Sequence, residues 1–204
     1  MVGETILGRV VKLAQKAKCF DAVWVATSTD TEDAVTEEIA KRYNAACIRG
    51  SLLDVRSRFA EIIIESQAEI VCRLTADNPL TYLGFILDGM AYAEAHPQVP
   101  YVMFDHDKIP YGSGVEIFRT DPFKESLIND LSPEGIEHVT YSLRKLPQAV
   151  FLTPSDKIIE RSDLKVTVDT IEDYLRVYNW FSRYGADLDI MTLCKNEKFG
   201  GSKI

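Results

Sequence analysis

Apolar positions recur at helical spacing from Glu4 to Lys18, where Ile6, Leu7, Val10, Val11, Leu13, Ala14 and Ala17 share one face. The run from Ala22 to Thr27 is short and β-rich, and the polar cluster Ser28-Thr29-Asp30-Thr31 ends it, which predicts a strand. A second helix is predicted from about Glu32 to Tyr43, with Val35, Ile39 and Ala40 inward. Ala45 to Ile48 reads as a strand closed by Arg49-Gly50-Ser51, and Asp54 to Ser66 as a helix with Val55, Phe59, Ile62 and Ile63 on one face. Ala68 to Thr75 reads as a third strand, stopped by Ala76-Asp77-Asn78-Pro79. Strand and helix thus alternate with short connections, the pattern of a parallel sheet covered by helices.

The second half is looser. Leu83 to His96 is predicted helical, and Tyr101 to Phe104 and Val115 to Arg119 are predicted strands around a polar loop. A helix from Asp121 to Asp130 precedes Ser132-Pro133, an N-cap and first-turn proline for a helix running to about Lys145. Val150 to Leu152 and Lys165 to Val168 read as strands. Thr170 to Asp173 is a capping box for the last long helix, with Ile171, Tyr174, Leu175, Tyr178 and Phe181 inward. The class is α/β, in one domain over residues 1–204.

Composition narrows the function. The chain is 46% hydrophobic and 26% charged, as in ordinary globular proteins, and carries a formal net charge of −8. Such an acidic chain lacks the electrostatic footprint of a nucleic-acid or membrane-surface binder. No apolar run approaches the roughly 20 residues that cross a bilayer, and Met1-Val2-Gly3-Glu4 does not open a signal peptide, so the cytoplasm is the expected compartment. Cys19, Cys47, Cys72 and Cys194 are scattered without a close pair, which argues against disulfides and zinc and for small buried hydrophobes.

Ligands of an open parallel sheet bind at the carboxyl ends of its strands. Asp77 and Asp169 stand at two such ends. Singly, each reads as a turn or capping residue; as a pair of hard oxygen donors they suit Mg²⁺, with phosphate supplying the remaining ligands. Arg73, Thr75 and Asp77 share a strand face by the period of two, and an arginine there needs an anion, whether Asp77, Asp169 or a ligand phosphate. Arg49-Gly50-Ser51 and Arg58, taken alone, read as a surface turn and its following helix. His138 reads as a structural helical histidine. The dinucleotide fingerprint, the phosphate loop and the His-Glu-x-x-His zinc motif are all absent from the sequence.

Taken in order, Val25 to Asp30, Ile48 to Ser51 with Asp54-Val55 and Arg58-Phe59, Val71 to Leu80, Pro110 to Gly112 with Val115 to Phe118, Glu137 to Thr140, and Asp163 to Thr170 with Glu172-Asp173 form a set. That set resembles the cytidylyltransferase family of spore-coat polysaccharide and surface-sugar biosynthesis, kin to the CMP-sugar synthetases. The resemblance implies a Rossmann-like nucleotide-diphosphosugar-transferase sandwich, a mostly parallel sheet flanked by helices. It implies transfer of CMP from CTP to a sugar or sugar acid, with release of pyrophosphate. Asp77 and Asp169 are then the Mg²⁺ ligands and, with Arg73, the catalytic set. Ser28, Ser51 and Arg58 lie around the nucleotide, and Glu116 and His138 face the sugar. A homodimer is expected, with residues 101–152 as a dimerisation or sugar-side subregion that does not read as part of the compact sheet. The family's first strand and its glycine- and arginine-containing loop have no counterpart here, so the resemblance implies an N-terminally truncated sheet with a gap where a central strand belongs, and weak CTP binding. Ser113-Gly114 departs from the family pattern on the sugar side. The alternative from another class is an inactive family member serving as a binding or assembly subunit.

Overall fold

The computed structural model describes residues 1–198. The first helix, α1 (Ile6–Ala17), starts where the Thr5 hydroxyl accepts the Gly8 amide at 2.9 Å, and it stops at Lys18 in the left-handed conformation. Two strands, β1 (Trp24–Ser28) and β2 (Ala46–Gly50), pair in parallel around the crossover helix α2 (Ala34–Arg42), with Trp24 opposite Ala46 and Ser28 opposite Gly50. Helix α3 (Val55–Ser66) is capped by Asp54, whose carboxylate accepts the Ser57 amide at 2.8 Å. There follow β3 (Ile70–Arg73), α4 (Leu83–Ala95), β4 (Tyr101–Phe104), β5 (Glu116–Arg119), α5 (Thr120–Asn129), α6 (Pro133–Glu137), β6 (Val150–Leu152), α7 (Ile171–Tyr184) and α8 (Ile190–Asn196). The pattern along the chain did not predict α8.

The strands form two sheets, β1-β2 and β3-β5-β4-β6. In the larger one β5 is antiparallel to both its neighbours while β6 is parallel to β4, so β3, β4 and β6 point one way and β5 is reversed. The architecture is the expected α/β one. No ladder joins β1 to β3 among the described residues, so each has one unpaired edge and the strands have not shifted to form a continuous sheet.

Side chains alternate across the larger sheet, and both faces are covered. Val102, Phe104 and Ile117 join Phe85 and Ile86 of α4, Val177 and Phe181 of α7, and Ile190 and Leu193 of α8 in the main core. The Phe85 and Phe104 rings stack with centroids 4.1 Å apart. On the other face Tyr101, Met103 and Phe118 pack with Ile63 of α3, Phe123 of α5, Val139 and Leu143. A smaller cluster of Val11, Val25, Ala40 and Ala45 underlies β1-β2. Helix α1 contributes Val11 to that small cluster and Ala17 to the main core, and α3 packs on β1 and β2 while burying Ile63 in the second cluster, so these two helices tie the sheets together.

Several expectations are corrected. The segment 101–152 supplies three of the four strands of the larger sheet and is central to it. The helix predicted from Ser132 to about Lys145 ends at Glu137, because Val139 takes a left-handed φ of 45°; a 3₁₀ turn at Leu143–Lys145 is all that remains of the rest. Residues 165–168 form an extended segment with a single bridge, Tyr111 to Lys165, instead of a strand. On α7, Ile171, Leu175 and Tyr178 are 69%, 53% and 40% exposed; the inward stripe is Asp173, Val177 and Phe181. The Asp173 carboxylate turns that face inward by accepting the Asp169 amide at 3.1 Å and pairing with Lys165 at 2.8 Å. All four cysteines are free; Cys194 is buried, which pushes its thiol up to about 11, and Cys72 packs against the main core, where burial raises its thiol too. Among the described residues no helix is long and apolar enough to cross a membrane.

Candidate active site

Asp77 and Asp169 come together through the backbone. The Val168 amide donates to the Asp77 carbonyl at 3.0 Å, which sets Asp169, one residue on, beside the turn that carries Asp77. That turn is not strand: β3 ends at Arg73, and the Asn78 amide closes a turn on the Thr75 carbonyl at 3.2 Å, so the two-residue period does not extend to Asp77. Gly112, with φ of 93°, makes the close approach possible. A Cβ there would lie 2.7 Å from the Thr167 nitrogen and 2.9 Å from Asn78 Oδ1. Asn78 Oδ1 is itself buried without a hydrogen-bond partner.

Both carboxylates are exposed. Asp169 accepts from Thr167 Oγ1 at 3.3 Å and pairs with Lys165 Nζ at 3.0 Å. Lys165 also holds Asp173, and its ammonium is pushed above the usual lysine range by these two carboxylates, Asp173 first. Among the described residues no three His, Cys, Asp or Glu side chains cluster to cage a metal. Two exposed carboxylates, one of them paired with Lys165, are the kind of hard donor that suits Mg²⁺, which dehydrates reluctantly and takes few protein ligands.

Arg73 finds its anion in neither aspartate. It pairs with Glu116, directly opposite on β5. Glu116 is 8% exposed, and its Oε1 also accepts from Tyr101 and Thr140 hydroxyls at 2.6 Å each and from Arg144 at 3.2 Å. Burial pushes the carboxyl up, but Arg73, Thr140, Tyr101 and Arg144 together outweigh it and hold it below the usual range. His138, expected with Glu116 to face the sugar, is an exposed residue that caps α6; Thr140, two residues on, contacts Glu116.

The β1-β2 pair carries a separate cluster at its carboxyl end. Ser28 is fully buried and donates its hydroxyl to Asp33 at 2.5 Å while accepting the Asp30 amide, and Arg49 Nε donates to its carbonyl at 2.9 Å. Its hydroxyl is therefore committed within the turn. Ser51 is exposed and accepts the Asp54 amide at 3.0 Å. Arg58 lies against Gly50, where a Cβ would stand 2.8 Å from its Cγ. It is 9% exposed, its Nε is buried without a partner, and burial lowers its pKa despite Asp33 and Asp54 nearby. A nearly buried guanidinium with an orphaned donor is suited to an anionic ligand.

Sequence reasoning missed Thr140, Arg144, Tyr101 and Lys165. Tyr101, Thr140 and Arg144 reach Glu116 across 15, 24 and 28 positions, whereas Lys165 has its partners Asp169 and Asp173 only 4 and 8 residues on.

Comparison with known proteins extends this picture. The chain is 28% identical over 194 residues to the uncharacterised protein MJ1063 of Methanocaldococcus jannaschii, covering 90% of this chain and 76% of that one. Its fold is similar to a cytidylyltransferase from Leptospira borgpetersenii serovar Hardjo-bovis, with a TM-score of 0.77 and 21% identity over 96% of this chain and 88% of the other. It is also similar to a CMP:2-keto-3-deoxy-manno-octonic acid synthetase complexed with CTP, with a TM-score of 0.66 and 15% identity over 90% of each chain. The sequence model of the cytidylyltransferase family matches residues 1–198. With that match, the chain belongs to the cytidylyltransferase family, whose general activity is nucleotidyl transfer from CTP.

Proposed function

We propose that the protein transfers CMP from CTP to a sugar or sugar acid in the cytoplasm, for cell-surface polysaccharide synthesis, with Mg²⁺ held by Asp77 and Asp169. The observation that supports this reading is the Val168–Asp77 hydrogen bond, which joins the backbone segments that carry two exposed aspartates. In the reaction an acceptor oxygen attacks the α-phosphorus, the bond to the β-phosphate oxygen breaks, pyrophosphate leaves, and the acceptor proton passes to solvent. Bound Mg²⁺ supplies charge neutralisation on the triphosphate. The chain's own residues bind and orient. Arg58 offers a guanidinium to phosphate, and Ser51 an exposed hydroxyl. Ser28 shapes the turn through Asp33. Arg73 is aimed by Glu116, and His138 stands on the acceptor side. Exposed Ile128, Leu131 and Phe151, at 78%, 74% and 53%, support a homodimer through the 101–152 region.

The test is pyrophosphate release from CTP, against ATP, GTP and UTP, over a panel of neutral and acidic sugars with Mg²⁺ or EDTA. CTP-specific, metal-dependent release is expected. Failure to bind CTP overturns the reading. CTP binding without release on any acceptor favours the inactive binding subunit.

A further inference from the structure

The directly bonded cluster around Glu116 sets two positive charges against one negative. Two guanidiniums, Arg73 and Arg144, face the single buried carboxylate, and the remaining partners, Tyr101 and Thr140, are neutral hydroxyls. His106, which lies close enough to interact with Glu116, Arg144, Asp105 and Asp107, is held toward its neutral form by burial, and Asp105 is paired with Lys108 at 3.3 Å. Arg144 Nε is buried without a hydrogen-bond partner, while the side chains of Arg144 and Arg73 remain 37% and 21% exposed. The arrangement is also held under strain. Val139, a β-branched residue with 1% exposure, sits at φ of 45°, and this turns Thr140 onto Glu116. The Arg144 amide then returns to the Thr140 carbonyl at 3.1 Å.

We propose that Arg144 and Arg73 form a receptor for an anionic group, a carboxylate or a phosphate monoester, and that Glu116 is the positioning residue aiming both guanidiniums. A guanidinium fork matches either group in a bidentate way, which an ammonium does not. Assigning the anion to the acceptor rests on the nucleotidyl-transfer reading; the receptor itself rests on the geometry around Glu116.

The experiment titrates the full chain with inorganic phosphate and, separately, with acetate, by NMR or calorimetry, with and without CTP and Mg²⁺. Wild type is expected to bind one of the two with CTP present: phosphate points to a phosphate ester, acetate to a sugar acid. Arg144→Gln is expected to weaken that binding at least tenfold with CTP affinity unchanged, and Arg144→Lys to recover part of it. Glu116→Gln separates positioning from charge. Removing the negative charge tightens anion binding if charge alone matters, whereas loss of aim weakens it. Weaker binding supports the proposal, and tighter binding overturns the positioning role. Unchanged affinity in Arg144→Gln, or displacement of the anion by CTP, overturns the receptor. Absence of CTP binding in wild type counts against the nucleotidyl-transfer reading alone and leaves the anion titration readable.

Discussion

The Val168 amide and the Asp77 carbonyl are hydrogen-bonded at 3.0 Å, and through that bond residues separated by some 90 positions share one end of the larger sheet. The extended segment 165–168 is short of a strand, yet it is pinned at both ends: Tyr111 donates to the Leu164 carbonyl and accepts from the Val166 amide, each at 2.8 Å. The placement of Asp169 is therefore a backbone property, independent of its own side chain.

Asp77→Asn and Asp169→Asn are accordingly expected to keep the fold and lose the chemistry. Each should lower metal-dependent pyrophosphate release by roughly 100-fold or more. Both side chains are exposed, so the melting free energy should move by about 0.5 kcal/mol or less. The double variant should be little worse than either single one, since both act on one ion. Pyrophosphate release and Mn²⁺ titration followed by electron paramagnetic resonance check this.

Glu116→Ala leaves Arg73 and Arg144 facing each other without their carboxylate, and breaking such a buried pair costs about 3–5 kcal/mol. The pH dependence has a definite sign. The Glu116 carboxyl is depressed in the folded state relative to its ordinary 4.5, so its stabilisation is fully present above that value. It is lost progressively as pH falls below 4.5 through the lower folded value. Urea melts of wild type and Glu116→Gln at pH 7 and pH 4 should show the difference between them shrinking in acid.

Gly112→Ala and Gly3→Ala separate strain from collision. Both glycines have positive φ, 93° and 80°, but only the Gly112 Cβ meets backbone, at 2.7 Å from the Thr167 nitrogen. Gly3→Ala is expected to cost about 1 kcal/mol from conformation alone. Gly112→Ala should cost more, on the order of 2–3 kcal/mol, and should also weaken metal binding, because it pushes residues 165–168 away from the Asp77 turn. Thermal melts together with Mn²⁺ affinity distinguish the two effects.

The orientation of α7 predicts opposite outcomes on its two faces. Ile171→Lys and Leu175→Lys fall on the exposed side and should change stability by about 0.5 kcal/mol or less. Phe181→Ala, at 1% exposure, should cost about 3–5 kcal/mol. Denaturant unfolding of the three variants is the measurement.

What could be read from the sequence was what is encoded locally. Asp54, Ser132 and Thr170 each cap the helix they were expected to start, because an N-cap acts over three residues. The alternation of strand and helix up to β3 was legible for the same reason. The end of α6 was not, since it depends on Thr140 reaching Glu116, 24 residues away. The partner of Arg73 lies 43 residues off, across a ladder that no period reveals. The buried face of α7 went wrong because an aspartate is inside: apolar spacing favours the Ile171 stripe, and only the ion pairs of Asp173 with Lys165 and Arg176 explain the rotation. Among candidate site residues, the backbone contact between the turns of Asp77 and Asp169 agrees with their reading as polar turns after apolar runs. Arg144, with no such context, was not legible.

The break between the two sheets also divides the molecule dynamically. The β1-β2 pair has one ladder and a cluster of four buried residues, Val11, Val25, Ala40 and Ala45, whereas the larger sheet is packed on both faces. A two-stranded sheet is marginal by itself, so the unit of β1, α2 and β2 is where local opening comes first. Ser28 rides on that opening unit, Arg58 reaches it from α3, and the Glu116 cluster is built into the stiff one. A ligand held at the carboxyl end of β1-β2 would thus gain part of its binding selectivity from the order it imposes there, while a group bound near Glu116 would meet a surface already set.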